Sequence, residues 1–316
     1  MYSITHICAT MSRIKENYYS ENSGKRISMK VGIVVCRSFI KKPFQALCQM
    51  EQLLMQQTAE NYDLLLFPQT YLQGIYSLNN DKAEAVKIAF RESCRLIGKI
   101  KKLCERYCVG VGFGYYEKDG KNAIYDSYIL INREGKIRFR QRQLTQQWQE
   151  KTKSLPADLP VEKIDLDLLE PNKLLFEEET EFVKELEDEA ALTKQAVPEV
   201  NFSKGEALSC GYFGGKQVVL LIGRDWENKE IVRACRDLEP DWVYCPTSLD
   251  IKNDEWANFV SKKFLPLADK LDTTVLLDNS YYIEDNSVKG GALGQIPNNK
   301  LEQLEPNCYG ILAVEI

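Results

Sequence analysis

The run Val218-Val219-Leu220-Leu221-Ile222 is unbroken, apolar and rich in branched side chains, and it closes on Gly223. A short run of that kind predicts a strand buried on both faces. Two charged residues follow, Arg224 and Asp225, and then Lys229-Glu230-Ile231-Val232-Arg233-Ala234-Cys235 with helical spacing. A doubly covered strand that turns sharply into a helix belongs to a layered α/β protein. It presents the residue at its turn to a cleft, where such enzymes commonly hold a nucleophile. The turn residue here is Gly223, which carries no reactive atom.

The remaining patterns agree with an α/β class. The fold signal starts at Met29, with a strand at Val31–Cys36 and a helix over Phe44–Ala59 that places Leu47, Met50, Leu53 and Leu54 on one side. Asp63–Phe67 is a buried strand ended by Pro68. The spacing over 81–108 predicts one long amphipathic helix. Strands at Val109–Tyr115, Ala123–Ile131 and Ile137–Arg142, joined by turns at Gly120 and Gly135, read as an antiparallel meander. Asp241–Pro246, Thr273–Asn279 and Tyr309–Ile316 are further strands, and Glu255–Leu271 is a helix interrupted at Pro266. Interleaved strands and helices of this kind make α/β layers. Residues 1–28 read as a flexible N-terminal extension ahead of a single domain, 29–316. Within it, about 150–200 reads as a solvated acidic insertion carrying Glu177-Glu178-Glu179 and Glu185-Leu186-Glu187-Asp188-Glu189.

Composition removes several functions. The 46 acidic residues outweigh 41 basic ones, for a net charge of −5, which argues against nucleic acid or an acidic membrane surface as a partner. No apolar run approaches the roughly 18–20 residues that span a bilayer. Ten cysteines without a CxxC pair or a secretory start suit a reducing compartment, so a cytoplasmic location is expected. The one histidine is His6. A Ser–His–Asp triad, a Cys–His dyad and a multi-histidine metal site each need a histidine inside the fold, so no metal or cofactor is expected.

Four blocks, in order, carry a likeness. They are Met29-Lys30-Val31-Gly32-Ile33-Val34; Leu65-Leu66-Phe67-Pro68-Gln69-Thr70-Tyr71-Leu72-Gln73-Gly74-Ile75-Tyr76; Asp126-Ser127-Tyr128-Ile129-Leu130-Ile131 with Gly135-Lys136-Ile137-Arg138-Phe139-Arg140-Gln141-Arg142-Gln143-Leu144; and Ile222-Gly223-Arg224-Asp225. Each alone is weak. Together they resemble the nitrilase superfamily of carbon–nitrogen hydrolases over about 29–316, apart from the acidic insertion. The resemblance implies an α-β-β-α four-layer sandwich and a Glu–Lys–Cys triad. In that chemistry the cysteine attacks an amide or nitrile carbon, the glutamate is general base and the lysine steadies the developing charge.

By the same resemblance, the glutamate position holds Gln69, the lysine position Gln141 and the cysteine position Gly223. A carboxamide has no titratable proton and no charge, and glycine has no nucleophile. Losing acid–base help costs about 10²–10⁴ in rate, and losing a nucleophile that acts as part of a unit costs on the order of 10⁶. Neutralising acid and base together also avoids an unpaired buried charge, worth about 3–5 kcal/mol. The chain is therefore expected to be a pseudoenzyme that binds a small amide or carboxylate ligand, or a protein partner. Its pocket would be lined by Gln69, Gln141 and Gly223, with Arg224 near the mouth. A rival is a working hydrolase with a relocated thiol, Cys245 or Cys36, and Glu150 as a remote base. A third reading is an inert subunit. In assembly, a homodimer or pairing with a homologue is expected.

Overall fold

In the computed structural model, residues 28–57, 60–74, 88–120, 123–145, 201–249, 251–280, 282–284, 287–299, 301–306 and 308–316 are described. The expected extension up to residue 27, the acidic insertion, Glu150 and the first part of the 81–108 helix lie outside them. In chain order the first half carries β1 (Lys30–Val35), α1 (Pro43–Gln57), β2 (Leu64–Leu66), α2 (Arg95–Tyr107), β3 (Gly110–Lys118), β4 (Ala123–Ile131) and β5 (Ile137–Arg142). The second half opens with β6 (Asn201–Phe202), β7 (Gly211–Phe213), β8 (Lys216–Leu220), α3 (Lys229–Asp237) and β9 (Trp242–Thr247). It continues with α4 (Trp256–Phe259), α5 (Leu265–Leu271), β10 (Thr274–Asn279), β11 (Tyr282–Glu284), β12 (Ser287–Lys289), β13 (Ala292–Gln295), β14 (Glu302–Leu304) and β15 (Gly310–Glu315).

One sheet has the order β15-β1-β2-β3-β4-β5, with β6 on β4, and the other β14-β13-β10-β9-β8-β7; β11 and β12 form a separate hairpin. Side chains alternate across each strand, so every central strand feeds two cores. From β1, Val31, Ile33 and Val35 meet Val218, Leu220 and Ile222 between the sheets. Val34 and Cys36 face the other way, under α1 and α2. Val219 and Leu221 pack with Val232, Phe264 and Leu267 under α3–α5. Each such side chain contributes about 1.5–3 kcal/mol when fully buried. These three cores make a helix–sheet–sheet–helix sandwich, and the Val218–Ile222 run is covered on both faces.

Two sequence expectations need correction. The helix foreseen over 81–108 is not continuous among the described residues: α2 starts at Arg95. Upstream, Phe90 N–H donates to Tyr116 O and Lys118 N–H to Phe90 O, so the chain bridges β3 there instead of coiling. Phe90 is buried in the α1–α2 core, and this tertiary contact overrides the helical periodicity. The meander's first strand is also longer than expected, reaching Lys118 by pairing Tyr116, Glu117 and Lys118 with Asp126, Tyr125 and Ile124.

The interruption expected at Pro266 takes a specific form. A π-turn, Val260–Phe264, separates α4 from α5, and Pro266 enters α5 in its first turn, where a missing N–H is tolerated. Helix α3 starts at Asn228, whose side chain accepts from Glu230 N–H and Ile231 N–H, a cap worth about 1 kcal/mol. No helix among the described residues is long and apolar enough to cross a membrane.

Candidate functional site

Where β2 ends, the chain passes Phe67 and Pro68 and makes a tight turn at Gln69–Gln73. Its backbone is fixed from several sides. Tyr128 Oη donates to Phe67 O at 2.7 Å, Gly114 N–H to Pro68 O at 3.1 Å and Ser280 Oγ to Gln69 O at 3.3 Å. Thr70 has φ +52°, unfavourable for a β-branched residue, and its Oγ1 is buried without a hydrogen-bond partner among the described residues. Gly114 on β3 lies directly against this turn. A Cβ there would stand 2.4 Å from Thr70 N and 2.8 Å from Gln69 Cα, both backbone atoms that cannot swing aside. Gly114→Ala is therefore expected to destabilise the fold by about 1–3 kcal/mol. A urea unfolding midpoint equal to the parent's would show that the turn has slack.

The second wall of the site is the turn after β8. Gly223 has φ +62°, and its N–H donates to Pro246 O at 2.9 Å. Asp225 reaches back to the end of β5. Its Oδ1 accepts from Thr145 N–H and Thr145 Oγ1, each at 2.8 Å, and Leu144 N–H lies 3.1 Å from both carboxylate oxygens. The residue that closes the fourth sequence block is thus fastened to the end of the third.

Between these walls sits a cluster of carboxamides. Gln69 Nε2 lies 2.5 Å from Asp126 Oδ2, and the same nitrogen is 3.0 Å from the place a Cβ on Gly223 would occupy. Gln143 Nε2 is 2.6 Å from that place. The space that a cysteine side chain would fill at Gly223 is therefore taken by the amides of Gln69 and Gln143.

Gln141 lies elsewhere. Its Nε2 donates to Arg142 O at 2.8 Å and Ala207 O at 3.1 Å, while its Oε1 accepts from Ser209 N–H at 3.1 Å and Ser209 Oγ at 2.8 Å. Gln141 and Gln143 share strand parity, but β5 ends at Arg142, so the residue that reaches Gly223 is the one just past the strand. The structure thus brings together Gln69 and Gly223 of the sequence candidates and uses Gln141 to hold the 207–209 segment. Sequence reasoning missed Gln143 and Asp126, although both stand inside blocks that carried the likeness.

Arg224 is more than half exposed and pairs with Glu227 Oε2 at 3.7 Å, a surface arrangement rather than a pocket lining. The two thiols are also misplaced for attack. Cys245 alternates with Tyr244 on β9, so it faces the helices and packs with Val219 and Leu221. Burial first, then Cys235 and Asp225, push its thiol well up. Cys36 is pushed well up by burial and by Asp278, and it lines a groove with Gln49, Gln52, Leu53 and Tyr309. A thiol held protonated is a poor nucleophile.

The charges of the site are acidic. Asp126 is buried; burial pushes its carboxyl up to about 7 against the Gln69 hydrogen bond, with the charge of Asp225 adding to the rise. Its Oδ1 has no partner among the described residues. Asp225 is pushed up to about 6 by burial, which outweighs its hydrogen bonds from Leu144, Thr145 and Ile222. The cations of β5 face away. Arg142 binds Glu117 through Nη2 at 2.5 Å and Nε at 3.0 Å, and Arg140 Nη1 binds Glu117 at 3.2 Å and Glu92 at 2.7 Å. The cluster can accept or donate hydrogen bonds, and among the described residues it presents no nucleophile. Among the described residues no group of three or more His, Cys, Asp or Glu side chains is placed to hold a metal ion.

No protein-family model matches the sequence, and no curated protein matches it. Solved structures do. An amidase from Nesterenkonia sp. superposes with a TM-score of 0.63 over 94% of this chain and 93% of its own, at 17% identity. A cysteine-to-alanine mutant of the Nesterenkonia sp. AN1 amidase in complex with butyramide gives 0.62 over 93% and 94%, at 17% identity. A glutamate-to-glutamine, cysteine-to-alanine double mutant in complex with acrylamide gives 0.62 over 93% of each chain, at 17% identity. That AN1 amidase is of the nitrilase superfamily. The layers, sheets and turns described above are accordingly those of a known architecture: this chain has the α-β-β-α fold of the nitrilase-superfamily amidases.

Proposed function

We propose that this chain is a nitrilase-fold protein without hydrolase chemistry, whose altered site holds a small polar ligand. The observation that carries the reading is the filled turn at Gly223: no thiol is offered there, and the amides of Gln69 and Gln143 occupy the volume a thiol would need. Catalysis by nucleophile and base would lose on the order of 10⁶ from the missing nucleophile alone. Binding does not require that nucleophile. A cysteine-to-alanine mutant of the Nesterenkonia amidase still forms a complex with butyramide. A retained ligand also accounts for features that cost stability, namely the strained Thr70 backbone and the unpartnered buried oxygens of Thr70 and Asp126.

Ammonia release tests the first half of the reading. With butyramide, acrylamide and short nitriles, release is expected to stay at the uncatalysed rate and to be unaltered in Cys36→Ala and Cys245→Ala. Turnover that is quenched by a thiol-blocking reagent, or lost in either variant, would restore the relocated-thiol hydrolase. A ligand screen that stays flat across amides, cations and carboxylates would favour an inert subunit.

A further inference from the structure

We propose that the ligand is a small planar cation rich in N–H donors, of the amidinium or guanidinium class, held by the carboxylate of Asp126. This rests on the reading of the altered site as a ligand site.

Asp126 is buried, yet it receives one hydrogen bond where a carboxylate can accept about four. Its Oδ2 is bonded to Gln69 Nε2, the nitrogen 3.0 Å from the Cβ position of Gly223, and its Oδ1 has no partner among the described residues. A buried acceptor in that state calls for a donor. Among the described residues the nearby cations do not supply one: Arg140 and Arg142 are bound by Glu117 and Glu92, and Arg224 by Glu227 at the surface. Asp225, close enough for its charge to act on Asp126, adds to the local negative field.

That field discriminates among ligands of one shape. A carboxylate would bring another negative charge beside two carboxyl groups. A neutral carboxamide offers N–H on one arm only, so it leaves the field uncompensated. An amidinium is isosteric with the carboxamide but carries N–H on both arms and a positive charge. One arm can serve Asp126 Oδ1, and the other can meet the carboxamide of Gln143, which turns to present oxygen at no change in shape, while Gln69 keeps its N–H on Asp126 Oδ2. Room for it comes from a shift of Gln143, whose amide stands 2.6 Å from the Cβ position of Gly223 and is held at Thr145 Oγ1 by a 3.2 Å contact.

Isothermal titration at pH 8 and matched ionic strength, with acetamidine hydrochloride, methylguanidine, acetamide and acetate, tests the inference on the full chain. Acetamidinium is expected to bind roughly tenfold tighter than acetamide, the scale of one charge-assisted hydrogen bond, with acetate weakest. Asp126→Asn should bring acetamidinium and acetamide to within about twofold, whereas Gln143→Ala, which keeps the carboxylate, should preserve the ranking. Acetamide or acetate binding as tightly as acetamidinium would overturn the ligand class and leave the ligand-site reading standing. A cation preference that survives in Asp126→Asn would overturn the role of Asp126. No heat of binding from any of the four would overturn the ligand-site reading and the inference together.

Discussion

Asp126→Asn is expected to stabilise the fold, by an amount that grows with pH. Burial pushes the carboxyl up to about 7, against the hydrogen bond from Gln69 and with the charge of Asp225 adding to the rise. In the unfolded chain an aspartate titrates near about 3.9. Between those two values the native state keeps its proton and the unfolded state has lost it. The parent's stability from this group is therefore fully present below the unfolded value, falls as pH rises through the window, and is level above about 7. Each pH unit is about 1.4 kcal/mol, so the window amounts to a loss on the order of 4 kcal/mol. Asparagine has no proton to lose, and its carbonyl can still accept from Gln69 Nε2. Urea unfolding of parent and variant at unit steps from pH 4 to pH 8 should show free energies that diverge, the variant gaining on the parent by on the order of 4 kcal/mol. Two parallel curves would show that Asp126 is paired in solution and that its buried oxygen is not alone. A stabilising substitution at a site is also what a protein that keeps costly polar groups for a ligand should yield.

The parts of the fold set by local alternation were legible in the sequence. Val218–Ile222 reads as a run buried on both faces and Val31–Cys36 as a strand, and in both the residues of each parity meet a different core. The Phe90 segment reads as helix because its neighbours are apolar at helical intervals, while its backbone is committed to Tyr116 and Lys118, 26 and 28 positions onward. Nothing local in the sequence distinguishes those two fates. The site shows the same division. The four blocks located the Gln69 and Gly223 turns, which do meet. They could not tell Gln141 from Gln143, since the two share a strand face and differ only in lying before or after the end of β5. What places Gln143 is the tether from Asp225 to Leu144 and Thr145, a contact across about 80 residues. Asp126 is hidden from sequence for a related reason: it lies in a strand block that reads as framework, and only pairing geometry shows that its carboxyl faces the Gln69 amide.

Asp225→Ala is expected to have the opposite sign from Asp126→Asn, although both aspartates are buried and both have raised pKa values. The difference lies in what each carboxylate satisfies. Asp225 accepts from Leu144 N–H, Thr145 N–H and Thr145 Oγ1, and it closes the Gly223 turn onto the end of β5. Hydrogen bonds to a charged group are worth about 1.5–3 kcal/mol each, and a buried donor left without its partner costs about 1–3 kcal/mol. Because Leu144 and Thr145 are partly exposed, water recovers some of that cost. The net loss for alanine is about 3–5 kcal/mol, on the scale of breaking a buried polar network. Asparagine keeps one oxygen for Thr145 but turns an N–H₂ toward Leu144 N–H, so it should fall between alanine and the parent. Chemical denaturation reads the loss, and amide hydrogen exchange locates it: Leu144 and Thr145 should lose protection first, ahead of Tyr128 in the adjoining sheet. An alanine variant within about 1 kcal/mol of the parent, with Leu144 and Thr145 still protected, would mean that some other contact holds the two walls of the site together. In that event Gln143 would owe its place beside Gly223 to β5 itself and not to the aspartate that follows the turn.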